Sequence, residues 1–373
     1  MSIALTACGR IAFDPFGVAG DGGTDSVSGC VGDGTFRPQA SYTAGSNPAD
    51  VTVGQFGGDA APDIAVTNLL QMRTAILINN GDGTLAAPRF FTTGVDPSSV
   101  DTADFDSDGL SDLVVANLNG DSVSVLKNLG GGDFAPAGTY ATGNRPYSVV
   151  ARDFSGDAIP DLAVVEFDDA MSHVWFNNGT GSFQAPMVAG VVGLNPISIA
   201  SGDVDNDGDL DLVTANNGGN SFNVIQNLGP GTWMSNGTMS GGGPFHVALA
   251  NLDGANLDVI VSTSAVDALS IHYGNGAGGF APAIMVPAGT SPRAAAAGDF
   301  DGDGDLDLAA ASFGDNAISV IENTGSFGAP VSYAADNTPS SIATADLDGD
   351  GALDLVAGNT GGQTVSVYLA NCR

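Results

Sequence analysis

Asp299-Phe300-Asp301-Gly302-Asp303-Gly304-Asp305-Leu306-Asp307 is the stretch around which the chain is organised, because close copies of it recur along the sequence at a nearly fixed interval. Its side-chain carboxylates stand at the first, third, fifth and ninth positions, and a glycine stands at the sixth. Such a cluster repels itself unless a positive charge sits inside it. Hard oxygen donors at alternate positions, followed by a glycine that permits a sharp turn, are what a Ca²⁺ ion with six to eight oxygen ligands requires.

An EF-hand opens in the same way but needs a bidentate glutamate at loop position twelve and a helix on either side. Position twelve here is Ala310, and its counterparts in the other full copies are Val115, Thr214 and Ala357. None of these side chains can bind a metal. The flanks read as strands: SSVDTADF precedes one copy and DLVVAN follows it, β-branched and alternating with period two. The loop therefore joins the two strands of a hairpin.

The composition agrees with a turn-dense β protein. Of 373 residues, 54 are glycine and 43% are hydrophobic, enough for a sizeable core. The formal net charge is −33, and the nine Lys and Arg residues are scattered rather than gathered into a stripe. That excludes a nucleic-acid backbone as partner, and it excludes charge-driven binding to an anionic membrane. No run of about twenty apolar residues is present, so a helical span is not expected.

Each repeat can be taken from a proline: Pro48, Pro97, Pro146, Pro196, Pro244, Pro292 and Pro339, at intervals of 49, 49, 50, 48, 48 and 47 residues. Within the second repeat, SSVDTADF, DLVVAN, SVSVLKN and FAPAGTYATG follow one another, separated by Gly/Asn/Asp turns. Four short strands with a period near 50 describe one blade of a β-propeller. The expected fold is all-β: a seven-bladed propeller of four-stranded blades over residues 30–373.

The chain ends support closure of the ring. The seventh repeat stops after its third strand, at VSVYLANCR, while the segment Gly32 to Gly45 resembles an orphaned fourth strand. The N-terminal segment should therefore complete the last blade. Cys372 ends the third strand and Cys30 precedes the borrowed one, so a Cys30–Cys372 disulfide is expected to lock the ring in an oxidising compartment. In the chain-entropy description such a loop contributes about 5 to 6 kcal/mol at most.

Ahead of the repeats, Leu5-Thr-Ala-Cys8 followed by Gly9 resembles a bacterial lipobox, with Cys8 as the lipidated residue. Residues 1–8 are then a truncated signal remnant, and residues 9–29 a small, polar tether. This places the propeller at the cell envelope, lipid-anchored or secreted, with the membrane reached only through the lipid.

The acidic loops, the period and the segments Phe36-Arg-Pro38, Phe134-Ala-Pro136, Phe183-Gln-Ala-Pro186, Phe280-Ala-Pro282 and Phe327-Gly-Ala-Pro330 together resemble the FG-GAP or VCBS repeat proteins, relatives of the integrin α-chain propeller. The resemblance implies Ca²⁺ held by side chains at positions one, three, five and nine and by the carbonyl at seven. Four loops carry the pattern, implying about four ions. They are Asp104, Asp106, Asp108, Asp112 with Leu110; Asp203, Asp205, Asp207, Asp211 with Asp209; Asp299, Asp301, Asp303, Asp307 with Asp305; and Asp346, Asp348, Asp350, Asp354 with Ala352. Three loops depart from it: Gln55 to Asp63, Asp153 to Asp161, and Asn251 to Asp258, the last one residue short. No ion is expected in the first and fifth repeats, and a weak one at best in the third.

Little in the sequence suggests catalysis. His173, His246 and His272 share no spacing that would form a zinc site or a triad. Ser124-Val-Leu-Lys127 has the S-x-x-K form but sits in a regular third strand, and Gly130 to Gly132 form a hairpin turn with no helix behind it. Recurrent Phe, Trp175 and Trp233 read as core. Binding is expected on the face opposite the acidic hairpins, where Arg73, Arg145 and Arg293 are candidates to contact a carboxylate. The favoured reading is a monomeric, non-enzymatic adhesion or recognition propeller that takes an extracellular protein or glycan. A lectin-like propeller, resembling fungal lectins of similar repeat, is the alternative, and a lyase or hydrolase using the channel is a third.

Overall fold

The computed structural model describes residues 3–6, 10–13, 30–229, 231–240 and 242–373. The described residues form seven four-stranded antiparallel sheets. The innermost strands are Pro48–Gly54, Pro97–Ala103, Pro146–Arg152, Pro196–Gly202, Pro244–Ala250, Pro292–Gly298 and Pro339–Ala345, so every blade begins at the proline that marks its repeat. Proline is tolerated there because the first residue of a strand need not donate to the ladder.

Blade two shows the common plan. Pro97–Ala103 pairs with Asp112–Asn117, which pairs with Ser122–Asn128, which pairs with Phe134–Ala141 on the outside. Every residue of the second strand is buried in every blade, because neighbouring blades cover both of its faces. Between blades two and three, for example, Val114, Ala116, Val123 and Val125 pack on Val149, Ala151, Leu162, Val164 and Trp175. These strands consequently read as continuous apolar runs, with small residues where the blades converge on the axis, as in Ala294 to Ala297.

Phenylalanines at or shortly before the fourth strands act between blades, as expected. Phe134 meets Phe56 of the preceding blade with ring centroids 5.6 Å apart, Phe183 meets Phe105 at 5.5 Å, and Phe36 meets Phe300 at 5.7 Å, all edge to face. Trp233 takes the same place against Phe154 at 6.1 Å, and Trp175 is buried.

The ring closes through the N-terminal segment. Ala40–Thr43 is the fourth strand of the seventh blade, in register Thr43 with Thr364 and Ala40 with Val367. The preceding Gly32–Phe36 does not extend that strand but pairs separately with Ala370–Cys372. Cys30 and Cys372 are joined in a disulfide, with Cα atoms 5.3 Å apart. Ile3–Thr6 pairs antiparallel with Arg10–Phe13, so four residues assigned to the tether are strand. Cys8 lies outside the described residues.

Candidate metal centres and the opposite mouth

The hairpin between the first and second strands points to the same face in every blade, because the topology repeats without variation. Its geometry follows from the residues. The fourth and sixth positions adopt left-handed backbone: Ser107 and Gly109 (φ 61° and 87°) in blade two, Asn206 and Gly208 (60° and 97°) in blade four. Gly304 and Gly351 repeat the sixth position in blades six and seven, at φ 96° and 98°. Glycine is used there because it adopts positive φ without steric cost.

The first aspartate of each full loop caps the turn. Asp104 accepts N–H groups from Asp108 and Gly109, at 3.1 and 2.8 Å, and Asp203, Asp299 and Asp346 do the same in their loops. The fifth aspartate accepts the N–H of the seventh residue, so Leu110, Asp209, Asp305 and Ala352 are held alike.

Carboxylate oxygens converge within 4.8 Å of one another in four sets: Asp104, Asp106, Asp108; Asp203, Asp205, Asp211; Asp299, Asp301, Asp303; and Asp346, Asp348, Asp354. Each set brings together three of the four side chains that the sequence proposes. Asp112 and Asp307 stand outside their sets, as do Asp207 and Asp350. These clusters have the donor chemistry to hold a hard cation. Two buried oxygens, Oδ1 of Asp106 and Oδ1 of Asp348, have no hydrogen-bond partner, which is what a missing positive centre would leave. Burial, helped by neighbouring loop carboxylates, pushes the carboxyls of Asp205 and Asp348 above the ordinary range.

The ninth aspartate has a second task that sequence reading missed. In all seven blades one of its oxygens accepts the N–H of the residue after the loop's first position, and the other accepts the N–H of a residue at the end of the third strand or two residues past it. Asp112 takes Phe105 and Asn128; Asp211 takes Val204 and Asn227; Asp307 takes Phe300 and Asn323; Asp354 takes Leu347 and Ala370. The depleted loops keep this: Asp63 takes Phe56 and Asn79, Asp161 takes Phe154 and Asn177, and Asp258 takes Leu252 and Gly274. Desolvation pushes Asp112, Asp161, Asp258 and Asp307 up to about 6, and Asp211 and Asp354 to about 7.

Asparagines at or just past the third-strand ends extend the network. Asn177 Nδ2 donates to the Phe105 carbonyl of the preceding blade at 2.9 Å, Asn227 to Phe154 at 3.0 Å, and Asn79 to Leu347 across the ring closure at 2.7 Å. The hairpin of one blade is thereby tied to the next.

Blade two holds a cation of its own. Lys127, one residue before the third-strand end, hydrogen-bonds Asp106 and lies 3.0 Å from Asp108, and these bonds raise its pKa. In the seventh blade Arg37 stands 3.5 Å from Asp348. The sequence offered Lys127 only within an S-x-x-K pattern; its position opposite an acidic loop is the signal that identifies its role.

The opposite mouth of the channel separates the three candidate arginines. Arg73 lies over the Phe90 ring at 3.8 Å and donates to Gln71 Oε1. Arg145 lies over Phe167 at 4.7 Å and stands 3.6 Å from Asp168. Only Arg293 lines the cavity at the mouth, a space of about 320 Å³ that also borders Ser98, Tyr147, Phe245, His246, Phe313 and Ser340. The histidines do not converge: His173 pairs with Glu166 at 2.7 Å in blade three, while His246 and His272, both in blade five, sit on its inner and third strands.

Fold and loops together define a seven-bladed propeller with carboxylate-lined hairpins on one face. The model of FG-GAP-like repeats matches residues 67–115, 104–164, 153–214, 255–310 and 299–357, more than half of the chain, and the chain belongs to that family. No curated protein sequence matches it. Among solved structures it is similar to BBS1N in complex with ARL6DN (13% identity, 92% of this chain and 98% of that one, TM-score 0.63). It is also similar to an Agrocybe aegerita lectin that recognises non-reducing terminal N-acetylglucosamine (18%, 90% and 96%, 0.56). Catalytically inactive virginiamycin B lyase from Staphylococcus aureus matches as well (13%, 90% and 100%, 0.61). At these identities the likeness is one of fold.

Proposed function

We propose that this chain is a non-enzymatic recognition propeller of an oxidising, extracytoplasmic compartment, stiffened by calcium on one face and binding a protein partner through the other. The observation that carries this reading is the convergence of carboxylate oxygens in four hairpins, together with the orphaned Oδ1 atoms of Asp106 and Asp348. Oxygen-only donors in flexible loops suit Ca²⁺ rather than Zn²⁺. The residues that would hold it are the four sets above, with the carbonyls of Leu110, Asp209, Asp305 and Ala352 available at the turn. When bound, the ion neutralises the loop and holds the hairpin that the Asp and Asn network ties to the next blade. Its work is structural.

The Cys30–Cys372 disulfide supports a compartment in which thiols oxidise. Anchoring through Cys8 belongs to the same proposal, tested by intact-mass analysis of protein extracted from membranes. The recognition reading is tested by presenting immobilised extracellular proteins to the calcium-loaded chain and to the chelated chain. Saturable binding that weakens with chelator supports it; no binding in either state overturns it.

One observation favours the lectin alternative. An open groove on blade five, bordered by Gly242 at the end of blade four, exposes Met285 and is lined by Phe280, Asp267, Ser270 and His272, with His272 Nε2 2.7 Å from Ser270 Oγ. An apolar wall beside polar groups suits a sugar ring. Selective binding on a glycan array that disappears in His272→Ala would move the assignment to this groove.

A further inference from the structure

The residue that follows each blade's leading proline lines the channel mouth. The fold asks little of this position beyond room, and in blades seven, one and two it is small: Ser340, Ala49 and Ser98. In blades three to six it is Tyr147, Ile197, Phe245 and Arg293. One arc of the mouth is therefore bulky, with two aromatic rings, an isoleucine and the arginine, while the facing arc is small, an asymmetry that a sevenfold repeat does not require.

Arg293 is the unusual member. Its guanidinium is clamped between two rings, 3.8 Å from the Phe245 centroid and 4.1 Å from that of Phe313. It makes no ion pair among the described residues, in a chain with 42 Asp and Glu, and its Nε is buried without a hydrogen-bond partner. Desolvation lowers its pKa, and Tyr147 is the group that acts on it electrostatically. Asp50, the carboxylate of the same cavity, is engaged by the backbone N–H groups of Val51 and Val100. A partly desolvated guanidinium without a counter-ion carries a cost, and stacking between two rings offsets only part of it.

We infer that the mouth is a carboxylate-binding site: the Arg293 fork receives the carboxylate, the Tyr147 hydroxyl borders it, and Phe245 and Phe313 flank the ligand's apolar body. A planar guanidinium matches a carboxylate bidentately, and a phenol beside it adds a third donor of the same sign. The volume of about 320 Å³ sits at the small end of ligand sites, room for one amino-acid-sized group rather than a chain of sugars. The carboxylate can come from a free small molecule or from the terminus of a partner protein. The site deepens the recognition reading but does not depend on it.

The test is calorimetric titration of the full, calcium-loaded chain with N-acetylphenylalanine, with its neutral amide, and with a short peptide ending in phenylalanine. Binding of the carboxylate at least about tenfold tighter than the amide is expected, as is a loss of about tenfold or more in Arg293→Gln. Arg293→Lys, which keeps the charge but not the fork, should also weaken binding, and Tyr147→Phe should weaken it by a few-fold. An unchanged melting temperature in each variant shows that the ring is intact. Equal binding of carboxylate and amide, full retention of binding in both Arg293 variants, or no binding of any probe up to about 10 mM would each overturn the inference. Binding of the free acid without the peptide points to a small molecule, and binding of both to a partner's terminus. Probe binding without any protein partner keeps this site and removes the recognition reading.

Discussion

Four hairpins of this propeller carry a full set of aspartates and three do not, yet all seven keep the closing aspartate's bonds to the loop start and to the third-strand side. The depleted loop of blade three shows how. Asp153 still caps the turn by accepting from Gly156, Asp157 and Ala158, and Asp161 still ties the loop to the third strand. Ala158 even adopts the left-handed backbone of the sixth position, at φ 68°, where the full loops use glycine. The shape of the hairpin therefore belongs to the backbone network around the ninth aspartate, and the other carboxylates are additions to it. An ion would reinforce a geometry that already exists, which is why a ring with both kinds of loop can close.

The largest effect that would sharpen this contrast is removal of calcium. At one hundred times the dissociation constant each occupied site contributes about 2.7 kcal/mol, so chelation should lower the melting temperature clearly. A melting temperature indifferent to chelator would break the division into two kinds of loop.

Next in size is removal of the shared aspartate. Asp161→Ala and Asp211→Ala each leave two buried N–H groups without an acceptor, at about 1 to 3 kcal/mol apiece. We expect comparable destabilisation of the two variants in chelator, measured by denaturant titration, with an extra loss for Asp211→Ala alone when calcium is added.

The pH response separates the loops again. In blades three and five, Asp161 and Asp258 are raised from 3.8 to about 6 by burial, so the native state favours their protonated form. Their stabilising contribution is complete below about 3.8 and is lost as pH rises through about 6. Chelated protein should melt at a higher temperature at pH 5 than at pH 7.5. Asp161→Asn combined with Asp258→Asn should reduce that slope, the remainder coming from Asp112, Asp211, Asp307 and Asp354, which burial raises in the same way; a slope untouched by the pair would remove these two groups as a source.

A gain of function is the more demanding trial. Ser155→Asp with Ala158→Gly restores the full pattern in blade three and should add one calcium equivalent in calorimetry, worth at saturation about what any single site contributes. An unchanged stoichiometry would mean that loop shape and carboxylate count do not suffice.

The smallest effect concerns Lys127. Its ammonium pairs with two carboxylates of the blade-two loop, Asp106 and Asp108. Lys127→Ala should tighten calcium binding there by about fivefold, the equivalent of about 1 kcal/mol for two unit charges 4 Å apart in water. Equal affinities in the two proteins would show that the lysine yields its place freely.

Much of the ring was legible in the sequence because propellers are periodic. The seven prolines mark the seven inner strands, and the unpaired last repeat pointed to the segment Gly32 to Gly45, of which Ala40–Thr43 is its fourth strand. Cys372 at the end of the last repeat and Cys30 just before the borrowed segment are bonded. The aspartates at positions one, three and five were visible for the same reason, since a loop closes over neighbours in sequence.

Linear order alone determined what repeats: the blade, the hairpin, the closure and the acidic loops. Tertiary structure decided what differs between equivalent positions. Asn177 reaches a carbonyl 72 residues away, Lys127 enters a loop 21 residues back, and Arg293 is clamped by Phe245 from the neighbouring blade and by Phe313 from its own. Those meetings depend on how one sheet is stacked and twisted against the next, a relation set by the packing of whole blades about an axis and written in no single segment of the chain.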